Sequence, residues 1–449
     1  MRSHDTIAAI ATAPGLAALS LVRVSGPDAI PIASACFSGK MLQEVESHTA
    51  HVGLWEYPNA SKIDRVVATV FRSPRTPTGE DLVEVTCHGG DYVAALVLES
   101  LIDQGARLAS PGEFTQRAFL SGKIDLTQAE AVAELIHSTS TQAHQVSLSA
   151  YEGHYSKELE KLRTAILELC ALAELEIDFT DEDVEFADRG QIKTLIDNTL
   201  IKIEDLLQTV KLGMVVREGI RVVIAGPPNA GKSTLLNSLS GRDRAIVSPM
   251  PGTTRDTLEV DCELGGLRFR FIDTAGLRQT SDTIEQEGVQ RAQSVMEKAD
   301  IVVYVYDLLA GLTKEDTTVL NSLHDKSVII VGNKVDLISE PVTIHGLQLS
   351  AKNGLEALEP LIHLLLEQAK QDFGTADAAK TVTNARHQSH LKNAYQALQS
   401  AKQALKSNQP PDIFSIDLHG AARELGLITG AITNETILGA IFSRFCIGK

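Results

Sequence analysis

The run RVVIAGPPNAGKSTLLNSL, residues 221–239, constrains this chain more than any other feature. A β-branched apolar stretch leads into Gly226-x-x-x-x-Gly231-Lys232-Ser233 and then into an amphipathic helical pattern. That strand–loop–helix order is the setting a phosphate-binding P-loop requires. Glycines let backbone N–H groups crowd around a phosphate, and the helix N-terminus adds favourable partial charge. Lys232 is suited to neutralise β and γ oxygens, and Ser233 to ligate magnesium (Mg2+). Residues Asn229, Ala230, Gly231, Lys232, Ser233 and Thr234 are therefore expected at a nucleotide's phosphates.

Three later elements, in the same order along the chain, narrow the nucleotide to GTP. Asp273-Thr274-Ala275-Gly276 follows the strand-like RFRFI, placing a carboxylate near magnesium and a glycine where a γ-phosphate is sensed. Asn333-Lys334-Val335-Asp336 follows SVIIVG; a carboxylate at Asp336 accepts from guanine N1 and its exocyclic amine, which adenine does not supply. Ser350-Ala351-Lys352 follows another short strand and backs the base. Between the first two elements lies PGTTRD, where Thr254 is expected to give magnesium a second hydroxyl and Thr253 a backbone contact. A turn role is the plainer alternative for either threonine. Leu277 stands where Ras-type proteins carry the glutamine that orients the attacking water, and leucine cannot do so. Asp282, Glu285 and Glu287 are nearby carboxylates able to take that task, and the residues alone do not choose among them.

At 449 residues the chain has material for two to four domains. Residues 1–118 alternate short apolar runs with Gly and Pro breaks, which predicts an α+β domain. Apolar spacings of three and four from Leu126 to about Gly213, and again after about Gly374, predict packed helices on both sides of a G domain. The expected layout is an N-terminal domain over 1–118, a helical domain in two parts over 119–218 and 374–449, and an inserted α/β Ras-like G domain over 219–373. No long apolar segment is present, and five scattered cysteines include no CxxC pair, so membrane spanning, secretion and a disulfide framework are not expected. A cytoplasmic location fits. The net charge of −17 means that an RNA substrate needs a basic partner or a local basic patch.

The acidic run Asp178, Asp181, Glu182, Asp183 and Glu185 is read as a solvated loop and cap rather than a metal site. Cys446 has the spacing of a prenylation box, but a final Lys449 fits neither usual class.

From DTIAAIAT near the start to FCIGK at the end, the chain resembles the MnmE (TrmE) tRNA-modification GTPases. The matching pieces are GEDLVEVTCHGG, SPGEFTQRAFLSGKIDLTQAEAVAELI, GPPNAGKS, GTTRD, DTAGLR with a glutamate beyond it, and the terminal CIGK. The resemblance implies that Glu285 orients the water when two G domains of a homodimer face each other. It also implies a potassium ion (K+) in place of an arginine finger, held by Asn229 and by the loop carrying Ser248, Met250 and Thr253. The N-terminal module is then folate-binding, with 5-formyl- or 5,10-methylene-tetrahydrofolate contacted by Arg23, Glu84, Lys123 and Lys449. In place of the family's glycine-rich stretch after Pro14-Gly15, this chain has Leu16-Ala17-Ala18. The implied activity is installation of an aminomethyl or carboxymethylaminomethyl group at carbon 5 of a tRNA wobble uridine, with an FAD-dependent MnmG-like subunit in a heterotetramer. The alternative is a GTPase switch or ribosome-assembly factor. It expects an attached RNA-binding module, and no GXXG in KH-like surroundings is apparent.

Overall fold

In the stretch KIDRVVATVF the residues Val66, Ala68 and Val70 fall on alternate positions, and all three are buried. That period of two makes it a half-buried strand. The computed structural model describes residues 5–57, 61–178, 189–241, 259–273, 294–338, 345–375, 377–443 and 445–448. The chain divides into two units, one of Met1–Ala133, Tyr151–Leu167 and His419–Lys449, the other of Glu134–Ala150 and Glu168–Leu418.

The first unit holds β1 (Ile7–Ile10), β2 (Leu19–Ser25), β3 (Phe37–Ser38), β4 (Thr49–Glu56), β5 (Lys62–Phe71), β6 (Leu82–His88) and β7 (Arg107–Leu108). They form one sheet in the order β3-β4-β5-β6-β2-β1-β7. Helices Ala29–Cys36 and Asp91–Asp103 contribute Ile30, Ala33, Val97 and Leu101 to a core shared with Val22, Val24, Trp55 and Val85. Trp55 is wholly buried, and its Nε1 donates to Ser100 Oγ at 2.8 Å, so the indole carries no unpaired donor. The C-terminal tail belongs to this unit: Phe442 and Phe445 pack with Leu126 and Ala129. Gly112 permits this, because a Cβ there would lie 2.7 Å from Phe442 O.

The second unit contains β8 (Ile220–Ala225), β9 (Glu259–Leu264), β10 (Leu267–Asp273), β11 (Ile301–Asp307), β12 (Ser327–Asn333) and β13 (Leu347–Gln348). The sheet order is β13-β12-β11-β8-β10-β9, parallel except for the β9 edge. Both faces are covered, which is why IVVYVY in β11 is apolar throughout and buried throughout. One face packs Val222, Ile224, Leu235 and Leu361; the other packs Val223, Ala225, Val302 and Tyr304.

The expected insertion is visible in how the chain enters and leaves this α/β domain. Helix Val210–Glu218 precedes β8, and helix Glu359–Phe373 ends the domain. Lys211 Nζ donates to Asp372 O at 3.3 Å and sits 4.9 Å from the Phe373 ring centroid. Val382 N–H then donates to Thr209 Oγ1 at 3.1 Å. The two crossings are side by side, as an insertion requires. Helices Arg189–Gln208 and Ala385–Lys406, from either side of the insertion, pack together and share the Lys402–Asp197 ion pair. Among the described residues, no helix is long and apolar enough to cross a membrane.

Candidate functional site

The phosphate-binding loop turns between the end of β8 and the helix Lys232–Ser240. Gly226, Asn229 and Gly231 all have positive φ, at 138°, 63° and 94°. At Gly226 a Cβ would lie 1.9 Å from Val305 O, so only glycine lets this loop pass under β11. Lys232 is buried, and its ammonium spans the loop, donating to Gly226 O at 3.0 Å and Pro227 O at 2.7 Å. Ser233 Oγ donates to Asp273 Oδ2 at 2.9 Å. Asp273 ends β10, is wholly buried, and pairs in register with Ile224 of β8. Parallel pairing thus carries a carboxylate to the loop's hydroxyl across 40 residues of sequence. A hydroxyl and a carboxylate converging at one point are the hard oxygen donors that suit magnesium.

The other two loops close on the same place. Asn333 is buried: its Nδ2 donates to Ala230 O at 2.8 Å, and its Oδ1 accepts from Ala351 N–H at 2.9 Å. It therefore stitches the phosphate loop to the Ser350-Ala351-Lys352 loop. Asp336 and Lys352 are exposed, and Asp336 has no hydrogen-bond partner among the described residues. Ser350 is buried, and its Oγ lacks a partner among the described residues. Lys334 takes a left-handed φ of 69°, and its Nζ donates to Asp307 Oδ2 at 2.7 Å.

Asp307 was not singled out from the sequence. Burial works to raise its carboxyl, but the Lys334 ammonium and the N–H groups of Leu309 and Ala310 outweigh that and hold it below the usual carboxylate range. Its only sequence signal is an acidic residue closing the apolar run IVVYVYD, a position shared by Asp273 at the end of RFRFI.

In the first unit, Arg23 of β2 and Glu84 of β6 are direct partners in the antiparallel register. Arg23 Nε and Nη2 donate to Glu84 Oε1 at 2.9 and 2.6 Å, and Nη1 lies 3.5 Å from Gly448 O. The guanidinium also stacks 5.7 Å from the Phe114 ring centroid. Glu84 Oε2 has no partner among the described residues, an acceptor position that fits an N–H donor such as a pterin ring. Gly448 seats the tail against β1, where a Cβ would lie 2.3 Å from Ile10 O. Lys123 is exposed, near Gly79 rather than bonded to the Arg23 pair. At the departure noted in the sequence, Leu16 is fully exposed, and Gly89 allows the Ala17 carbonyl to approach its backbone.

Ser248, Met250, Thr253, Thr254, Thr274, Ala275, Gly276, Glu285 and Lys449 lie outside the described residues, as do Leu277, Asp282, Glu287 and the acidic run from Asp181 to Glu185.

Two family models match the chain: "GTP-binding protein TrmE N-terminus" over residues 6–123 and "MnmE helical domain" over residues 126–446. The chain is 52% identical to the tRNA modification GTPase MnmE of Salinibacter ruber, covering 100% of both chains. It is 42% identical to the protein of that name from Parabacteroides distasonis, covering 99% of this chain and 100% of that one. A third, from Cytophaga hutchinsonii, is also 42% identical, with 99% and 98% covered. Together with the P-loop, the inserted α/β domain and the helices around it, these matches place the chain in the MnmE (TrmE) family of tRNA-modification GTPases.

Proposed function

We propose that this chain hydrolyses GTP to drive modification of a tRNA wobble uridine. It acts as a homodimer, with an FAD-dependent MnmG-like subunit in a heterotetramer, to install an aminomethyl or carboxymethylaminomethyl group at carbon 5. The observation that carries the nucleotide half of this reading is the 2.9 Å contact between Ser233 and Asp273 beneath the P-loop. The chain's domains span 1–118, 119–218, 219–373 and 374–449, and its setting is the cytoplasm.

In this reading Lys232 releases its two loop carbonyls to meet the β and γ oxygens, while the amides from Asn229 to Thr234 surround the phosphates. Ser233 and Thr254 give oxygen ligands to Mg2+, which offsets phosphate charge when bound. Asp336 accepts from the guanine N–H groups, the Lys334 stem lies along the base, and Ser350, Ala351 and Lys352 back it. Asp273, Thr274, Ala275 and Gly276 sense the γ-phosphate. Glu285 orients the attacking water in place of the missing glutamine. Asn229, whose exposed amide has no partner among the described residues, supplies an oxygen to K+ together with Ser248, Met250 and Thr253.

At the second site, Glu84 accepts from the pterin of 5-formyl- or 5,10-methylene-tetrahydrofolate, which supplies the carbon. Arg23 fixes that carboxylate, and Lys123 and Lys449 meet the carboxylates of the glutamate tail.

The test is mass spectrometry of tRNA nucleosides from cells lacking the chain. Loss of C5-modified wobble uridines, restored by the wild type but not by Glu285→Ala, is the expected result. An unchanged nucleoside profile removes the modification reading and leaves a GTPase switch or assembly factor.

A further inference from the structure

Ser47 and His48 lead into β4, and Arg72 to Arg75 follow β5. The strands are antiparallel with Thr49 opposite Val70, so these residues meet at one end of the sheet. They line a cleft of about 610 Å³ formed by Ser47, His48, Arg72, Ser73, Pro74 and Arg75, with no carboxylate among them. In a chain of net charge −17 the lining itself thus carries two guanidinium groups and no carboxylate.

Arg72 is fixed in place before any ligand arrives. Its Nε donates to Val45 O at 3.2 Å, and its Nη2 donates to the carbonyls of Leu42, Gln43 and Val45 at 3.3, 2.7 and 3.0 Å. Its backbone N–H donates to Ser47 Oγ at 2.9 Å. The Nη1 N–H groups have no partner among the described residues. A guanidinium held this way loses little side-chain freedom on meeting an anion. Arg75 is exposed and makes no ion pair among the described residues. His48 Nδ1 is occupied by Ser47 Oγ at 2.8 Å, which leaves Nε2 for a ligand. The one carboxylate bonded to a lining residue, among the described residues, is Asp81, engaged by Ser73 N–H at 2.8 Å.

We propose that this cleft binds a phosphate of an RNA backbone, with Arg72 and Arg75 as its donors. Guanidinium groups meet phosphate oxygens, which are the same at every nucleotide, so the contact positions the RNA without reading its sequence. The cleft is the local basic patch that so acidic a chain needs in order to hold a polyanion. That the RNA is a tRNA rests on the function proposed above. A free phosphate ion offers the same oxygens, and the experiment separates the two.

The full-length protein is titrated with an unmodified tRNA transcript by filter binding over a KCl series, as wild type, Arg75→Glu and Lys62→Glu. Lys62 is exposed at the opposite end of β5 and carries the same charge change away from the cleft. Arg75→Glu is expected to weaken binding several-fold and to make the salt slope shallower by about one. Lys62→Glu should leave both near wild type, and GTP turnover should be unchanged in either variant. Equal affinities for Arg75→Glu and wild type, equal losses in both variants, or no tRNA binding by the wild type overturn the proposal. So does calorimetric binding of inorganic phosphate that Arg75→Glu abolishes while tRNA affinity holds, since that assigns the cleft to a free anion. Failure of the wobble-uridine reading is seen separately, in the nucleosides of cells lacking the chain.

Discussion

Asn333 and Ala230 are joined by a 2.8 Å hydrogen bond in which a buried side-chain amide donates to a carbonyl inside the phosphate loop. The same amide accepts from Ala351 N–H, so a single side chain sets the spacing of three loops. Gly231 is part of the arrangement, since a Cβ there would lie 2.1 Å from Asn333 Nδ2. The phosphate-binding loop and the loop of Ser350, Ala351 and Lys352 are thereby tied together through one side chain.

Asn333→Ala strips a partner from both Ala230 O and Ala351 N–H in the interior, at a cost of about 1–3 kcal/mol. GTP affinity is expected to fall by roughly tenfold or more, together with a lower Tm. Nucleotide titration and a calorimetric scan check this; unchanged affinity would show that the three loops keep their spacing without the brace.

Asp307 holds the Lys334 ammonium at 2.7 Å, and in the function proposed above the stem of that lysine lies along the base. Asp307→Asn is expected to raise KM for GTP with little change in kcat, because the lysine stem is misplaced while the phosphates are still held. The pair also has a pH signature. The folded-state carboxyl is held below its ordinary value of 3.8, so its stabilisation is present above that value and fades as pH falls through the folded pKa. Acid-unfolding curves of wild type and Asp307→Asn should therefore differ at neutral pH and converge in strong acid. A constant difference at every pH would count against the ion pair.

Glu285→Ala is expected to lower kcat by about 10² or more while GTP affinity stays within a few-fold of wild type. Single-turnover hydrolysis with a parallel binding titration measures the two effects. Retained turnover would move the water-orienting role to Asp282 or Glu287.

Gly213 lies in the helix just before the inserted domain, and a Cβ there would come within 2.0 Å of Val382 O on the returning chain. Gly213→Ala forces the two crossings apart and is expected to destabilise the protein by about 1–3 kcal/mol. Thermal unfolding reads the loss, and a Tm equal to wild type would show that the crossing has slack.

The local structure of the P-loop was legible in the sequence because its information is local. A β-branched run, a glycine loop and a helical period within 19 residues dictate the P-loop (221–239), and Asp273 and Asp336 are each announced by the strand before them. The alternation of strand and helix periods likewise placed the α/β domain between helices, since burying one face of an element leaves a period in its own sequence. What the tertiary structure alone decided are the contacts whose partners are remote. Arg23 meets Glu84 only through sheet register and meets Gly448 across 425 residues. Asp307 finds Lys334 only because β11 and β12 end side by side. Arg72 and Arg75 become a basic cleft with His48 only because β4 and β5 pair antiparallel. A sequence pattern records which face a residue presents and cannot record what stands opposite it; that is chosen by pairing and packing of the whole chain.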